Sequence, residues 1–167
     1  RKNIRNLLGK PLIAWSIEAA LNSKVVDRLI VSTDDKEISN VAKLWGAEVP
    51  FMRPSELAQD TSSSFSVIEH TLNWLKHEQK YVPDYLVLLE PTSPLRDAKD
   101  VDKAFEQLKQ SKASSIVGIC LTDVHHPVFM YRKSASGKLN PYLKNSEKDA
   151  RRQDLEPTYF LEGSIYI

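Results

Sequence analysis

The sequence predicts an α/β domain with a mainly parallel sheet. Strand-like apolar runs alternate with helical patterns up to residue 121, and this alternation is typical of βαβ units. The 167 residues are enough for one domain with a buried core. Hydrophobic residues make up 41% of the chain and charged residues 27%, which is ordinary for a globular protein.

The first elements follow from local signals. Pro11 opens an amphipathic helix, because proline suits a first helical turn. Residues 28–33 predict a strand, after which Asp35 is placed to cap a second helix. Gly46 ends that helix, and residues 47–51 predict a short strand.

The next part of the chain shows the same alternation of helical and strand-like patterns. The polar residues 60–64 lead into a helix, and the apolar run 85–89 predicts a buried strand. A further helix begins at Asp97 or Asp100. Residues 115–121 predict another strand, with Cys120 as a small core residue.

After residue 121 no helical period is evident. Turn residues at Ser136-Gly137 indicate a hairpin. We therefore expect residues 122–160 to leave the sheet as an excursion and residues 164–167 to return to it.

The turn Glu90–Arg96 is the strongest candidate for a site. Pro91 and Pro94 interrupt helix and ladder alike, so the chain must turn outward at the end of the preceding strand. Ligands of open α/β sheets bind at that edge. The turn carries two hydroxyls, a carboxylate and Arg96, which suits an anionic or polyhydroxylated ligand. The alternative is a structural proline turn with Arg96 on the surface.

Three other clusters can be interpreted either as ligand-binding groups or as ordinary structural and surface residues. Basic residues within the first ten suit phosphate, or form a solvated terminus. Arg53 and the hydroxyl run 61–64 suit ribose or phosphate, although one of these hydroxyls could cap the next helix. Arg152 and Gln153 suit a carboxylate, or lie in an exposed charged loop.

Several function classes lack support. A net charge of +1 gives no broad electrostatic case for nucleic acid or a membrane as partner. Walker, G-x-G-x-x-G and G-x-S-x-G motifs are absent from the sequence. The adjacent His125 and His126 have no metal-ligand spacing around them. One cysteine and no visible signal peptide favour a cytoplasmic location.

A series of short motifs runs through the chain. The motifs are Arg1-Lys2-Asn3-Ile4, Leu8-Gly9-Lys10-Pro11-Leu12-Ile13, Val31-Ser32-Thr33-Asp34-Asp35, Gly46-Ala47-Glu48-Val49-Pro50, Arg53-Pro54-Ser55-Glu56-Leu57-Ala58, Asp60-Thr61, Pro91-Thr92-Ser93-Pro94-Leu95-Arg96, His126-Pro127, Arg152-Gln153 and Gly163-Ser164-Ile165-Tyr166-Ile167. Taken in order, these motifs resemble those of acylneuraminate cytidylyltransferases, the CMP-sialic acid synthetases and their relatives for other nonulosonic acids. The resemblance covers essentially the whole chain and is specific because so many motifs keep their order.

The resemblance implies a reaction and an architecture. CTP and a nine-carbon 2-keto acid sugar would give the CMP-sugar and pyrophosphate, with Mg²⁺ as cofactor. The fold would be a Rossmann-like nucleotidyltransferase, a three-layer α/β/α sandwich with a mainly parallel mixed sheet. Residues 1–167 would form a single domain, with 122–160 as a dimerisation excursion. A homodimer is implied, in which the partner closes the sugar site.

The resemblance also assigns roles by position. Lys2 and Arg152 are the candidate catalytic residues. The implied nucleotide-binding residues are Lys2, Asn3, Arg53, Ser64 and Thr92. The implied sugar-binding residues are Glu90, Thr92, Ser93, Arg152, Gln153, Glu162 and Tyr166.

Three departures from the sialic acid pattern lie on the sugar side. Glu90 stands where glutamine is common, Glu162 where asparagine is common, and Phe129 where a basic residue often follows. A carboxylate only accepts hydrogen bonds, whereas an amide also donates them. We therefore expect the acceptor to be a related nonulosonic acid, such as legionaminic acid, and not plain N-acetylneuraminic acid.

Two family parts are not found in the sequence: a glycine-rich loop before Arg1 and metal-binding aspartates after Ile167. We expect the Mg²⁺ ligands outside this segment and no activity from the segment alone. The alternatives are a 3-deoxy-octulosonate cytidylyltransferase, which the Arg152-Gln153 motif and the excursion disfavour, and a non-catalytic nucleotide-sugar binding module.

Overall fold

The computed structural model describes residues 1–122, 125–143 and 151–167. These residues divide into two compact units. Unit 1 comprises Arg1–Val117 and Gly163–Ile167, and unit 2 comprises Gly118–Glu162. Together the units have mixed α/β secondary structure. Among the described residues, no helix is both long enough and apolar enough to cross a membrane.

All four predicted α-helices are confirmed, and all lie in unit 1. They are α1 (Leu12–Leu21), α2 (Lys36–Leu44), α3 (Ser64–Gln79) and α4 (Ala98–Ser111).

The predicted helix ends are also present. Pro11 precedes α1, and the Asp35 carboxylate accepts hydrogen bonds from two backbone N–H groups of α2. Asp97 and Asp100 form a reciprocal capping box at the start of α4. Gly46 follows α2 with a φ of +95°, a conformation in which a side chain would be strained.

The core of unit 1 lies between these helices and the segments beside them. Ile13 and Ile17 of α1 pack with Ala42 of α2 and with Ala47. Val101 and Leu108 of α4 are fully buried. The apolar stripes of the helices therefore face inward, as their periodicity predicts.

The predicted strands of unit 1 form single bridges instead of ladders. Ile30 pairs in parallel with Glu48, and Leu88 pairs antiparallel with Tyr166. The segments 25–34 and 81–89 both line one cavity of about 1400 Å³. Neighbouring strands lie about 4.8 Å apart, so the two segments do not pair along this cavity. The run 85–89 is half-buried or exposed, and the prediction of a buried strand there was wrong.

Two short strands, β1 (Asn6–Leu7) and β2 (Lys10–Pro11), form a hairpin before α1. Residues 117–121 form β3 (Val117–Leu121), which pairs with the last strand, β6 (Tyr159–Tyr166). Between them, β4 (Tyr131–Lys133) and β5 (Leu139–Pro141) form the predicted hairpin.

Cys120 is a second correction. Its thiol is free, and the residue is exposed on β3 instead of lying in a core. The neighbouring Ile119 and Leu121 are also more than half exposed. Strand periodicity predicts which residues share a face of β3, but it does not tell whether anything covers that face.

Candidate active site

The turn Glu90–Arg96 is closed by two backbone hydrogen bonds. The N–H of Ser93 donates to the Glu90 carbonyl at 3.3 Å, and the N–H of Arg96 donates to the Ser93 carbonyl at 3.4 Å. The chain thus reverses at each of the two prolines. The turn begins two residues after Leu88, whose backbone exchanges hydrogen bonds with Tyr166 of β6, so it follows a single β-bridge and not the buried strand that was predicted.

Arg96 points inward from this turn. The residue is only 7% exposed, and its guanidinium donates to the carbonyl oxygens of Glu90 and Ser164 and to the hydroxyl of Ser16. The surface position expected for Arg96 in a structural proline turn was wrong. The reason is that the turn itself and two segments distant in sequence supply oxygen acceptors around one buried cation, which no local pattern reveals.

Two of the predicted sugar-binding residues meet beside Gly163. A β-carbon at Gly163 would lie 3.3 Å from Glu90 Oε2 and 3.7 Å from the Tyr166 hydroxyl oxygen. Gly163 also has a φ of +77°, which favours glycine. Because Gly163 has no side chain, the Glu90 carboxylate and the Tyr166 hydroxyl can both lie next to it. We name Glu90, Gly163 and Tyr166 the carboxylate cluster.

The remaining turn residues lie around this cluster. The Thr92 hydroxyl is 3.5 Å from Glu90 Oε2, which is at the long limit for a hydrogen bond. Ser93 is half-buried and contributes its N–H to the turn. The carboxylate of Glu90 therefore has unused acceptor capacity for hydrogen-bond donors of a ligand.

The predicted nucleotide residues Asn3 and Arg53 line the same cavity of unit 1. Arg53 Nε donates to the Ser32 hydroxyl at 3.1 Å, and its guanidinium also donates to the Ser32 carbonyl. Burial lowers the pKa of Arg53, and the carboxylate of Asp34 acts in the opposite direction. An arginine remains charged after such a shift, so this end of the cavity keeps a half-buried cation.

Other predicted nucleotide residues differ in exposure. The Oδ1 atom of Asn3 is buried and accepts no hydrogen bond from the described residues. Lys2 is exposed and begins the 3₁₀ helix Lys2–Ile4. Ser64 is exposed as the first residue of α3, while its neighbour Ser63 caps that helix. The capping interpretation of the hydroxyl run therefore holds for Ser63 and leaves the Ser64 side chain at the surface.

The other predicted sugar-side residues belong to unit 2. Arg152 and Gln153 are exposed and begin the 3₁₀ helix Arg152–Asp154. Arg151 forms an ion pair with Asp154 at 2.7 Å across this turn. Glu162 is exposed on β6. The structure thus brings Glu90 and Tyr166 together within unit 1 and describes Arg152, Gln153 and Glu162 within unit 2.

No group of three or more His, Cys, Asp or Glu side chains among residues 1–122, 125–143 and 151–167 could hold a metal ion. Mg²⁺ at phosphate-transfer sites is usually held by one or two carboxylates together with substrate phosphates and water, so it does not require such a cluster of side chains.

Two site residues were missed from the sequence. Ser32 is the hydrogen-bond partner of Arg53, and Ser16 is the partner of Arg96. Ser32 lies in the Val31–Asp35 motif, so that motif was a usable signal. Ser16 lies on an otherwise apolar helix face and is 6% exposed; a buried serine among apolar positions indicates a required hydroxyl.

A family model described as cytidylyltransferase matches residues 1–167. The chain belongs to the cytidylyltransferase family. Its members are nucleotidyltransferases, so the chain is of an enzyme family and the resemblance that the motifs indicated is confirmed.

Individual relatives agree with this assignment. The chain is 34% identical over 169 residues to a pseudaminic acid cytidylyltransferase of Campylobacter jejuni, covering 100% of the chain and 71% of the relative. It is 38% identical over 173 residues to a CMP-N,N'-diacetyllegionaminic acid synthase of Legionella pneumophila, covering 99% and 70%.

A solved structure supports the fold at lower identity. A CMP:2-keto-3-deoxy-manno-octonic acid synthetase complexed with CTP superposes with a TM-score of 0.60 at 18% identity. The match covers 99% of this chain and 66% of that structure. The chain therefore spans roughly two thirds of the length of that synthetase.

Proposed function

We propose that the protein transfers a cytidylyl group from CTP to a nonulosonic acid, giving the CMP-sugar and pyrophosphate. The family match supports the reaction type, and two relatives carry the names of nonulosonic acid enzymes. The carboxylate cluster is the observation that carries the sugar class, because it offers acceptors for a sugar rich in O–H and N–H donors.

The reaction that we propose is an in-line displacement. The anomeric hydroxyl of the sugar attacks the α-phosphorus, an O–P bond forms, the bond to pyrophosphate breaks, and the hydroxyl proton is lost. Positioning and charge neutralisation dominate such a transfer. Lys2 and Arg152 are the groups that we propose for neutralising the phosphates and the sugar carboxylate.

The binding residues divide between two substrates. We propose that Asn3, Arg53 and Ser64 bind the nucleotide and that Thr92 lies at the junction. The residues that we propose for contacts with the sugar are Glu90, Ser93 and Tyr166, which belong to unit 1, and Arg152, Gln153 and Glu162, which belong to unit 2. The shared cavity of Asn3 and Arg53 and the shared cluster of Glu90 and Tyr166 support this division.

A divalent metal, Mg²⁺, belongs to the proposal as a cofactor that would stabilise charge on the phosphates. The roles proposed above are confined to this chain's own side chains, because no group of three or more His, Cys, Asp or Glu side chains among the described residues marks a place for the ion.

The acceptor that we propose is a nonulosonic acid other than N-acetylneuraminic acid. Glu90 supports this proposal, since a carboxylate needs a donor on the sugar and cannot itself donate. The pseudaminic and legionaminic names of two relatives point the same way.

We further propose a homodimer formed through residues 122–160, within a single three-layer α/β/α domain that has a mainly parallel sheet and a cytoplasmic location. The exposed apolar side chains of unit 2 support the dimer, because patches of this kind mark interaction surfaces. They include Tyr131, Leu139, Tyr142 and Phe160.

Pyrophosphate release is the direct test. The natural full-length protein, with CTP, Mg²⁺ and a panel of nonulosonic acids, is expected to release pyrophosphate at a rate that depends on both CTP and sugar. Lys2→Ala and Arg152→Ala are expected to lower kcat by about 100-fold or more, because each removes a proposed charge-neutralising group. Lys43→Ala, at an exposed lysine of α2, is the matched control and should keep the wild-type rate.

Calorimetric titration with CTP and Mg²⁺ separates this proposal from a binding module. Binding of CTP without pyrophosphate release, with every sugar of the panel present, would contradict the enzymatic proposal and favour the module.

A further inference from the structure

We propose that Arg96, together with Ser16, is a positioning residue that holds the sugar site at a fixed width and thereby sets its sugar selectivity. This inference rests on the proposed function, because it concerns the carboxylate cluster of Glu90, Gly163 and Tyr166. It assigns Arg96 a role that neither an anion-binding turn nor a surface arginine would have.

The hydrogen bonds of Arg96 join three separate segments. One nitrogen, Nη1, donates to the carbonyl of Glu90 at 3.4 Å and to the carbonyl of Ser164. The other, Nη2, donates to the Ser16 hydroxyl at 2.5 Å. The guanidinium therefore ties α1, the proline-rich turn and β6 to one rigid planar group.

Ser16 links the Arg96 guanidinium to the Glu90 carbonyl. Its hydroxyl accepts from Arg96 and donates to the Glu90 carbonyl at 3.3 Å. That carbonyl also receives the N–H of Ser93. Arg96, Ser16 and Ser93 thus converge on one backbone oxygen, which fixes the peptide unit from which the Glu90 side chain projects.

The two carbonyls that Arg96 reaches flank the carboxylate cluster. Glu90 supplies the carboxylate, and Ser164 directly follows Gly163, over which that carboxylate lies. Because one guanidinium holds both backbones, the separation between Glu90 and the strand that carries Tyr166 depends on Arg96. A shift of about 1 Å in such a site can lower a rate by about 100-fold.

Both side chains of this network are buried, so their polar atoms need hydrogen-bond partners. Arg96 is 7% exposed and Ser16 is 6% exposed, and a charge removed from water is tolerated only with strong hydrogen bonds. A turn that needed only closure has its own backbone bonds for that purpose. The cross-links to α1 and β6 go beyond closure, and they meet at the sugar side.

The experiment compares Arg96→Lys and Ser16→Ala with the wild type in the natural full-length protein. N,N'-diacetyllegionaminic acid and N-acetylneuraminic acid are the two sugars, and pyrophosphate release is the readout. Lysine keeps the charge but cannot reach the acceptors as a fork. We expect Arg96→Lys to lower kcat/KM for the preferred sugar at least about tenfold. The ratio of kcat/KM between the two sugars should move closer to one, while KM for CTP stays within about twofold of the wild-type value.

Ser16→Ala should change the same ratio in the same direction by a smaller factor, because one of the cross-links remains. Its small size change keeps the test decisive if Arg96→Lys does not fold, as judged by circular dichroism. Ser23→Ala is the matched control for Ser16→Ala. It removes a hydroxyl that donates to Asp102 elsewhere in unit 1, so it should lower stability and leave the sugar ratio unchanged.

Equal loss for both sugars and for CTP, or a wild-type ratio in both variants, would overturn the inference while the proposed function stands. A wild type that releases no pyrophosphate with any sugar would overturn the proposed function and the inference with it.

Discussion

Unit 1 and unit 2 differ in how far their apolar side chains are buried. Unit 1 contains every buried residue that the structure describes, with Ile17 and Leu108 at 2% exposure or less. The described residues of unit 2 include none that is buried, and its large apolar side chains are mostly exposed. Unit 1 has a buried core, whereas the described part of unit 2 leaves most of its large apolar side chains exposed and free for contact with another molecule.

This difference separates stability from assembly. Changes in the core of unit 1 should act on the free energy of unfolding. Changes in the apolar surface of unit 2 should act on association, because burial of apolar area drives it. The same kind of substitution can therefore be placed in each unit and compared.

The largest expected contrast comes from one substitution at two leucines. Leu108→Ala should lower the free energy of unfolding by about 2 to 5 kcal/mol, since it leaves a cavity in the core. Leu139→Ala, at a residue 64% exposed, should change it by less than about 0.5 kcal/mol. Urea denaturation below the dimer dissociation constant measures both. Equal losses would mean that unit 2 has a core of its own after all.

A smaller effect is expected on association. Phe160→Glu places a charge among the exposed apolar residues of unit 2 and should weaken the proposed dimer at least about tenfold. Leu44→Glu, at a leucine of α2 that is 83% exposed, is the control and should leave the dimer unchanged. Sedimentation velocity over a concentration series decides, and a wild type that stays monomeric at every concentration would contradict the proposed dimer.

The smallest effect is a pH dependence within unit 1. The N–H of Ile38 holds the pKa of Asp35 below its ordinary value, against desolvation and with help from the N–H of Glu37 and from Arg1. Because the folded-state pKa is lowered, this contribution to stability is present above the unfolded pKa of about 3.9 and is lost as pH falls through the folded pKa.

Asp35→Asn keeps the capping acceptor and removes the charge. Its Tm should lie slightly below that of the wild type at pH 7, and the gap should close as pH falls through the folded-state pKa of Asp35. Asp60→Asn removes an exposed carboxylate that caps no helix, and it serves as the control. A gap for Asp35→Asn that persists in acid would show that packing, and not charge, is responsible.

The parts of the fold that the sequence predicts are those with local causes. The α2 cap at Asp35 and the α4 capping box at Asp97 use residues within one helical turn, so a window of the sequence contains the whole signal. The strand over 85–89 depends on partners far away in the chain. Its predicted ladder is replaced by one bridge to Tyr166, and no window could reveal that.

The candidate site divides in the same manner. The position of the turn at Glu90 follows from two prolines after an apolar run, which is local information. The burial of Arg96 requires Ser16 and Ser164, which are 80 and 68 residues away. The meeting of Glu90 with Tyr166 likewise depends on Gly163, whose missing side chain matters only once the two segments are adjacent.

The most direct test of the proposed sugar preference is a side-by-side measurement of kcat/KM for the wild-type, full-length protein with CTP. Pseudaminic acid, N,N'-diacetyllegionaminic acid and N-acetylneuraminic acid are the acceptors. We predict a kcat/KM at least about tenfold higher for one of the first two, because Glu90 requires a donor on the sugar. The highest kcat/KM for N-acetylneuraminic acid would contradict it.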